Sequence, residues 1–129
     1  MRRLRVWMGI LAIGAIVAIA GGCSHTPQAS GDVAPATAIG LRVRNDNFLD
    51  MDVYAISAGL PTRLGTVTGN STRNFVLDAS MADGQDFRIV ATPIGGNGRA
   101  TTGNIAVGPG QVIDFTIGST LRNSSVIIR

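Results

Sequence analysis

Ile39-Gly40-Leu41-Arg42-Val43-Arg44-Asn45-Asp46-Asn47-Phe48-Leu49-Asp50-Met51-Asp52-Val53-Tyr54-Ala55-Ile56 is the stretch that decides the fold. Ile39, Leu41 and Val43 alternate with Gly40, Arg42 and Arg44, and Leu49, Met51, Val53 and Ala55 alternate with Asp50, Asp52, Tyr54 and Ile56. A period of two puts one face of a strand in a core and the other in water. Asn45-Asp46-Asn47 between the runs is turn chemistry. Read together, the two runs predict an antiparallel hairpin. In the preferred register Asn45 faces Leu49, Asp46, Asn47 and Phe48 form the loop, and Arg44 and Arg42 stand opposite Asp50 and Asp52 on the outer face. Such pairs contribute ~0.2–1 kcal/mol each.

Outward from this stretch the same rhythm continues. Strands are predicted at Arg63–Thr68, Thr72–Leu77, Asp86–Thr92, Thr101–Val107, Gln111–Ile117 and Asn123–Arg129. Gly59-Leu60-Pro61, Gly69-Asn70-Ser71, Ala82-Asp83-Gly84, glycines 95, 96 and 98 and Gly108-Pro109-Gly110 punctuate them. Pro109-Gly110 suits the centre of a type II turn within a longer loop. One helical turn fits near residues 78–82, capped by Asp78. About eight short strands with regular turns predict an all-β fold, a single small antiparallel β-sandwich of seven or eight strands. Its strand rhythm resembles immunoglobulin-like and transthyretin-like sandwiches, without the Cys and Trp framework of true immunoglobulin domains. Leu41, Val43, Met51, Val53, Phe75, Leu77, Phe87, Ile89, Ile113 and Phe115 are the expected core.

Upstream of the alternation the composition changes. Arg2, Arg3 and Arg5 precede a 15-residue uncharged run, Val6–Ala20, then Gly21, Gly22 and the only cysteine, Cys23. A basic n-region, an apolar h-region and small residues at a processing site make a secretion signal. The run falls short of the roughly 20 apolar residues of a spanning helix. Ile19-Ala20-Gly21-Gly22-Cys23 resembles the lipobox of bacterial lipoproteins, with Ala20 where that family usually has Leu. The resemblance implies removal of residues 1–22, a diacylglycerol on the Cys23 thiol and acylation of the new N-terminus. Two or more acyl chains make a stable anchor where one does not. Ser24, rather than Asp, implies by the same resemblance the outer membrane of a Gram-negative envelope.

Residues 23–37 then read as the lipidated cysteine and a flexible tether rich in Pro, Ala, Ser and Gly. About 14 residues reach ~20 Å typically and ~46 Å when pulled straight. The folded domain occupies residues 38–129.

The formal charge of +3 belongs to the signal. Removing Arg2, Arg3 and Arg5 leaves eight arginines against eight aspartates, and the chain has no Lys and no Glu. A near-neutral domain gives no electrostatic footprint for nucleic acid. From residue 38 there is also no His and no Cys. That excludes a Ser-His-Asp triad, a thiol nucleophile, a Schiff-base Lys and His/Cys zinc sites. No metal or other cofactor is expected. Gly95-Gly96-Asn97-Gly98 has neither the helix nor the Lys of a phosphate loop and reads as a hairpin loop. Asn70-Ser71-Thr72 and Asn123-Ser124-Ser125 match the glycosylation acceptor pattern by chance. A paired-aspartate hydrolase is the remaining catalytic chemistry, and a domain this small rarely holds the cleft it needs.

The densest polar group is Asn45, Asp46, Asn47, Asp50 and Asp52. As a candidate site, Asp46, Asp50 and Asp52 offer oxygen ligands to calcium, but the cluster lacks the loop pattern and bidentate Glu of an EF-hand. Pairing with Arg42 and Arg44 is the favoured account. The expected function is therefore a membrane-anchored envelope lipoprotein whose non-catalytic sandwich is a structural or protein-binding module. The alternative is a sandwich that binds carbohydrate or peptide.

Overall fold

A computed structural model describes residues 36–129. The signal segment, Cys23, His25 and the tether up to residue 35 lie outside the described residues. The chain forms β1 (Ala38–Asn45), β2 (Met51–Ser57), β3 (Leu60–Val67), β4 (Ser71–Asp78), β5 (Arg88–Pro93), β6 (Ala100–Thr101), β7 (Val112–Ile117) and β8 (Ser125–Ile128). Single 3-10 turns sit at Ala79–Ala82 and Leu121–Asn123. Asp78 caps the first, its side chain accepting from the Ser80 N–H at 2.9 Å.

Two four-stranded sheets, ordered β4-β1-β7-β8 and β3-β2-β5-β6, make a β-sandwich. The alternation explains which face each strand buries. Ile39, Leu41 and Val43 from β1 and Ile113, Phe115 and Ile117 from β7 are almost fully buried. They meet Met51, Val53 and Ala55 from β2 and Ile89 and Ala91 from β5 in one apolar cluster. Phe87 and Leu77 complete it as expected. Phe75 departs from the expected core: it is half-buried on the edge strand β4, where no further strand covers it.

The predicted hairpin between residues 38–45 and 49–56 does not form. β1 pairs with β4 (Leu41 opposite Phe75) and, in parallel, with β7 (Leu41 opposite Ile113). β2 pairs with β3 and β5 in the other sheet. The reason lies in the two apolar rows. Side by side in one sheet they would share a face that needs a third element to cover it. Placed in opposite sheets, they bury each other. The connection 46–50 is thus a crossover between layers. Among the described residues β1–β7 is the one parallel pair, the others being antiparallel.

Turn chemistry sets the remaining joints. Ala58 and Gly59, with φ of 48° and 80°, close the β2–β3 hairpin in the left-handed conformations that match strand twist. Gly110 has φ of 79° and the Gln111 N–H reaches the Gly108 carbonyl, the expected type II geometry. The strand predicted over Thr101–Val107 is shorter: only Ala100 and Thr101 pair with β5. Beyond them the Thr102 hydroxyl accepts the Ile89 N–H at 3.0 Å, and Gly103 turns to φ of 69°. The side-chain oxygen replaces a ladder carbonyl and the strand ends.

All the strands run between two ends of the sandwich. β1 enters at one end and the C-terminal residue Arg129 pairs with Val112 at that same end. The connections 46–50, 68–70, 94–99 and 118–124 gather at the other.

Phe115 is 1% exposed at the centre of this core. Phe115→Ala is expected to lower stability by about 3–5 kcal/mol. Urea unfolding followed by circular dichroism measures it, and an unchanged midpoint would show that the core does not depend on this ring.

Candidate binding surfaces

The crossover 46–50 organises the loop end. It starts from Asn45, which occupies an inward position of β1 and is fully buried. An amide there must find partners, because an unpaired buried polar group costs ~1–3 kcal/mol. Asn45 Nδ2 donates to the carbonyls of Leu49 (2.8 Å), Thr68 (3.2 Å) and Val67 (3.3 Å), and Oδ1 accepts the Asn47 N–H at 3.0 Å. Asn47, also buried, donates from Nδ2 to the Ser119 carbonyl at 2.7 Å and accepts the Leu49 N–H at 3.0 Å. The Asp46 N–H reaches the Ile117 carbonyl and the Asn70 N–H reaches the Asn47 carbonyl. Asp50 accepts the Gly69 N–H on its carboxylate at 2.9 Å and the Ile94 N–H on its carbonyl at 2.8 Å. Gly69 lies so close beneath the crossover that a Cβ there would sit 2.3 Å from the Phe48 carbonyl oxygen.

These bonds separate the candidate residues Asp46, Asp50 and Asp52. Asp46 takes a forked contact from Arg44 (2.9 and 2.6 Å), Asp50 holds Gly69, and Asp52 pairs with Arg63 and the Thr66 hydroxyl, both at 2.6 Å. The expected pairing of Arg42 and Arg44 with Asp50 and Asp52 is therefore wrong. β1 and β2 belong to opposite sheets, so their outer faces point away from each other. The partner of Asp52 comes instead from β3, the true neighbour of β2. A third pair, Asp114 with Arg129, spans β7 and the residue after β8. Among the described residues no three His, Cys, Asp or Glu side chains gather closely enough to hold a metal ion.

The bond from Arg63, then that from Thr66, holds the Asp52 carboxyl below the usual carboxylate range. The bond from Arg44 does the same for the exposed Asp46.

With the crossover pinned, Phe48 at its tip is 78% exposed and Ile94 in the neighbouring loop is 50% exposed. The connections that gather at this end also carry Thr68, Asn70, Asn97, Ser119 and Thr120, uncharged groups able to donate and accept, beside the carboxylates of Asp46 and Asp50. An exposed aromatic on a hydrogen-bonded loop, at an end whose connections are rich in Asn, Ser, Thr and Gly, is a composition found in many recognition surfaces. The sequence pattern did not single out Phe48, because its exposure follows from the crossover and not from the alternation. A second, shallow hollow lies on the outer face of β5 and β6, between Arg88 and Arg99 over Val90 and Thr101. Tyr54, half-buried on the outer face of β2, stands between Arg63 and Val90.

Two outcomes test this geometry. Asn45→Ala is expected to cost about 1–3 kcal/mol by leaving buried carbonyls without donors, and to raise amide exchange together at Asn47, Leu49 and Asn70. Loss of stability without loss of protection at those amides would disprove the clamp. For Asp52 the folded pKa is depressed, so its contribution is present above about pH 4, the unfolded value, and is lost as pH falls through the folded value. Carboxyl NMR should place its titration below that of an ordinary Asp, and Arg63→Ala should move it up.

No protein-family model matches the chain, and no curated protein matches it. Among solved structures, an NMR structure of a protein from Eubacterium rectale superposes with a TM-score of 0.45 at 11% identity, covering 71% of this chain and 88% of that one.

Proposed function

We propose that this chain is a lipoprotein of a bacterial cell envelope, held in the membrane by acylated Cys23 and presenting its β-sandwich as a non-catalytic module that binds another envelope protein or fixes envelope structure. The observation that carries the reading is the order Arg2-Arg3, Val6–Ala20, Gly21-Gly22-Cys23 directly ahead of a Pro- and Ser-rich tether and a separate domain. The lipid on the thiol supplies membrane attachment, the tether supplies reach, and the outer membrane is the destination implied by Ser24.

The entry of the chain supports a binding role. β1 begins at the end of the sandwich opposite to the loops, so an anchor on Cys23 leaves the loop end farthest from its own attachment point. That end carries Phe48 on the hydrogen-bonded crossover and Ile94 in the neighbouring loop. Ordering a loop before binding removes an entropic cost from association.

Carbohydrate binding is the second reading, and the exposure of Phe48 is what favours it: a flat apolar ring beside amides and hydroxyls suits the face of a sugar. Phe48→Ala separates the two. It should abolish retention on cell-wall polysaccharide under the second reading and leave it unchanged under the first.

Mass spectrometry of the membrane-bound protein tests the anchor. The expected product begins at an acylated Cys23, and Cys23→Ala should stall processing or release the protein from the membrane. A retained signal or an unmodified thiol would overturn the reading.

A further inference from the structure

The hydrogen bonds of β1 determine which backbone groups of β4 are left over. The Gly40 N–H bonds to Gln111, the Ala38 carbonyl to Gly110 and the Asp46 N–H to Ile117, so the even-numbered residues of β1 turn their backbone toward β7. The odd-numbered ones turn toward β4, where Leu41 faces Phe75 and Val43 faces Arg73. In an antiparallel ladder those facing residues exchange both bonds. Thr72, Asn74 and Val76 therefore turn their N–H and C=O groups to the outer edge of the sheet, and no strand pairs there among the described residues.

The other three edges are blunted in ways that proteins use against strand addition. β3 carries Pro61 and a register shift opposite Val53 and Tyr54. β6 is two residues long and β8 four. β4 is eight residues long, and Val76 on its outer face is 67% exposed. Arg73, the charge on its inner face, is occupied within the chain: Nη1 donates to the Thr66 carbonyl at 2.8 Å and the guanidinium lies 5.1 Å from the Phe75 ring centre. Phe75 keeps part of that ring uncovered.

We propose that β4 is a docking edge for an extended segment of another protein, which adds to the sheet as a fifth strand beside Thr72–Val76. Its chemistry follows from the edge. The backbone groups at alternate residues require an extended strand. The inner neighbours Phe75 and Leu77 require apolar side chains on one face of it, and the outer neighbours Thr72 and Asn74 suit polar ones on the other. The proposal rests on the reading above of the sandwich as a protein-binding module; a second copy of this chain is the other occupant, and the dependence of protection on protein concentration separates the two.

Amide exchange on the full chain in detergent micelles tests the edge. The probe is a capped nine-residue peptide of alternating Val and Thr, flanked by Lys for solubility. Without peptide, Thr72, Asn74 and Val76 should exchange fast while Arg73, Phe75 and Leu77 are protected by β1. Added peptide should slow those three amides by about ten-fold or more. The same peptide N-methylated at alternate residues should have no effect. Asn74→Pro, which removes a donor that β1 does not use, should abolish the effect, with protection at Leu41 and Val43 reporting that the sandwich stays folded. No slowing at saturating peptide overturns the proposal. Protection already present in dilute protein shows that a segment of this chain covers the edge, and protection that grows with protein concentration shows a second copy; each also overturns it. None of these results bears on the acylation of Cys23, which mass spectrometry reads separately.

Discussion

The amide of Asn45 is the interaction on which the layout depends. It stands where the apolar row of β1 would otherwise continue, at the point where the chain must leave one sheet for the other. A side chain with two N–H donors and an acceptor oxygen can satisfy a crossing chain and a neighbouring turn together. Asn45 does so with the carbonyls of Leu49, Val67 and Thr68, and Asn47 extends the reach to Ser119. A neutral amide suits the site because a carboxylate there would be a buried charge facing three carbonyls. The loops of both sheets are consequently tied at one end, with Gly69 pressed under Phe48.

Once the crossover is fixed, arginines find aspartates close by in the chain or across the neighbouring strand. Arg44 pairs with Asp46 two residues away, Arg63 with Asp52 on the adjacent strand, and Arg129 with Asp114 across β7 and β8. Exposed pairs of this kind contribute about 0–1 kcal/mol each. The sandwich is held by its apolar interior, and the ion pairs order its outer faces.

The same topology divides the surface by function. The chain enters at one end, the rigid loops lie at the other, and between them only β4 offers a long unblunted edge among the described residues. The loop end presents an exposed aromatic on a hydrogen-bonded crossover, and β4 presents three outward backbone donor–acceptor pairs.

The sequence by itself determined the fold class, most strand positions, the inward face of β1, β2, β5 and β7, the cap at Asp78 and the type II turn at Pro109-Gly110. These depend on periodicity and on local dihedral preference, which each residue carries with it. Tertiary structure decided strand order, the pairing of Asp52 with Arg63 and of Asp114 with Arg129, and the exposure of Phe48. Alternation states that Leu41 and Met51 both face inward; it is equally true of a hairpin and of two facing sheets. Asn45 sits inward in both; its bond to Leu49 fits either arrangement, while its carbonyl partners 22 and 23 residues away, Val67 and Thr68, belong to the two-sheet one. The parallel pairing of β1 with β7 and the free edge of β4 are likewise products of strand order. A strand's sequence fixes which side chains point in and does not record which neighbour its backbone will find.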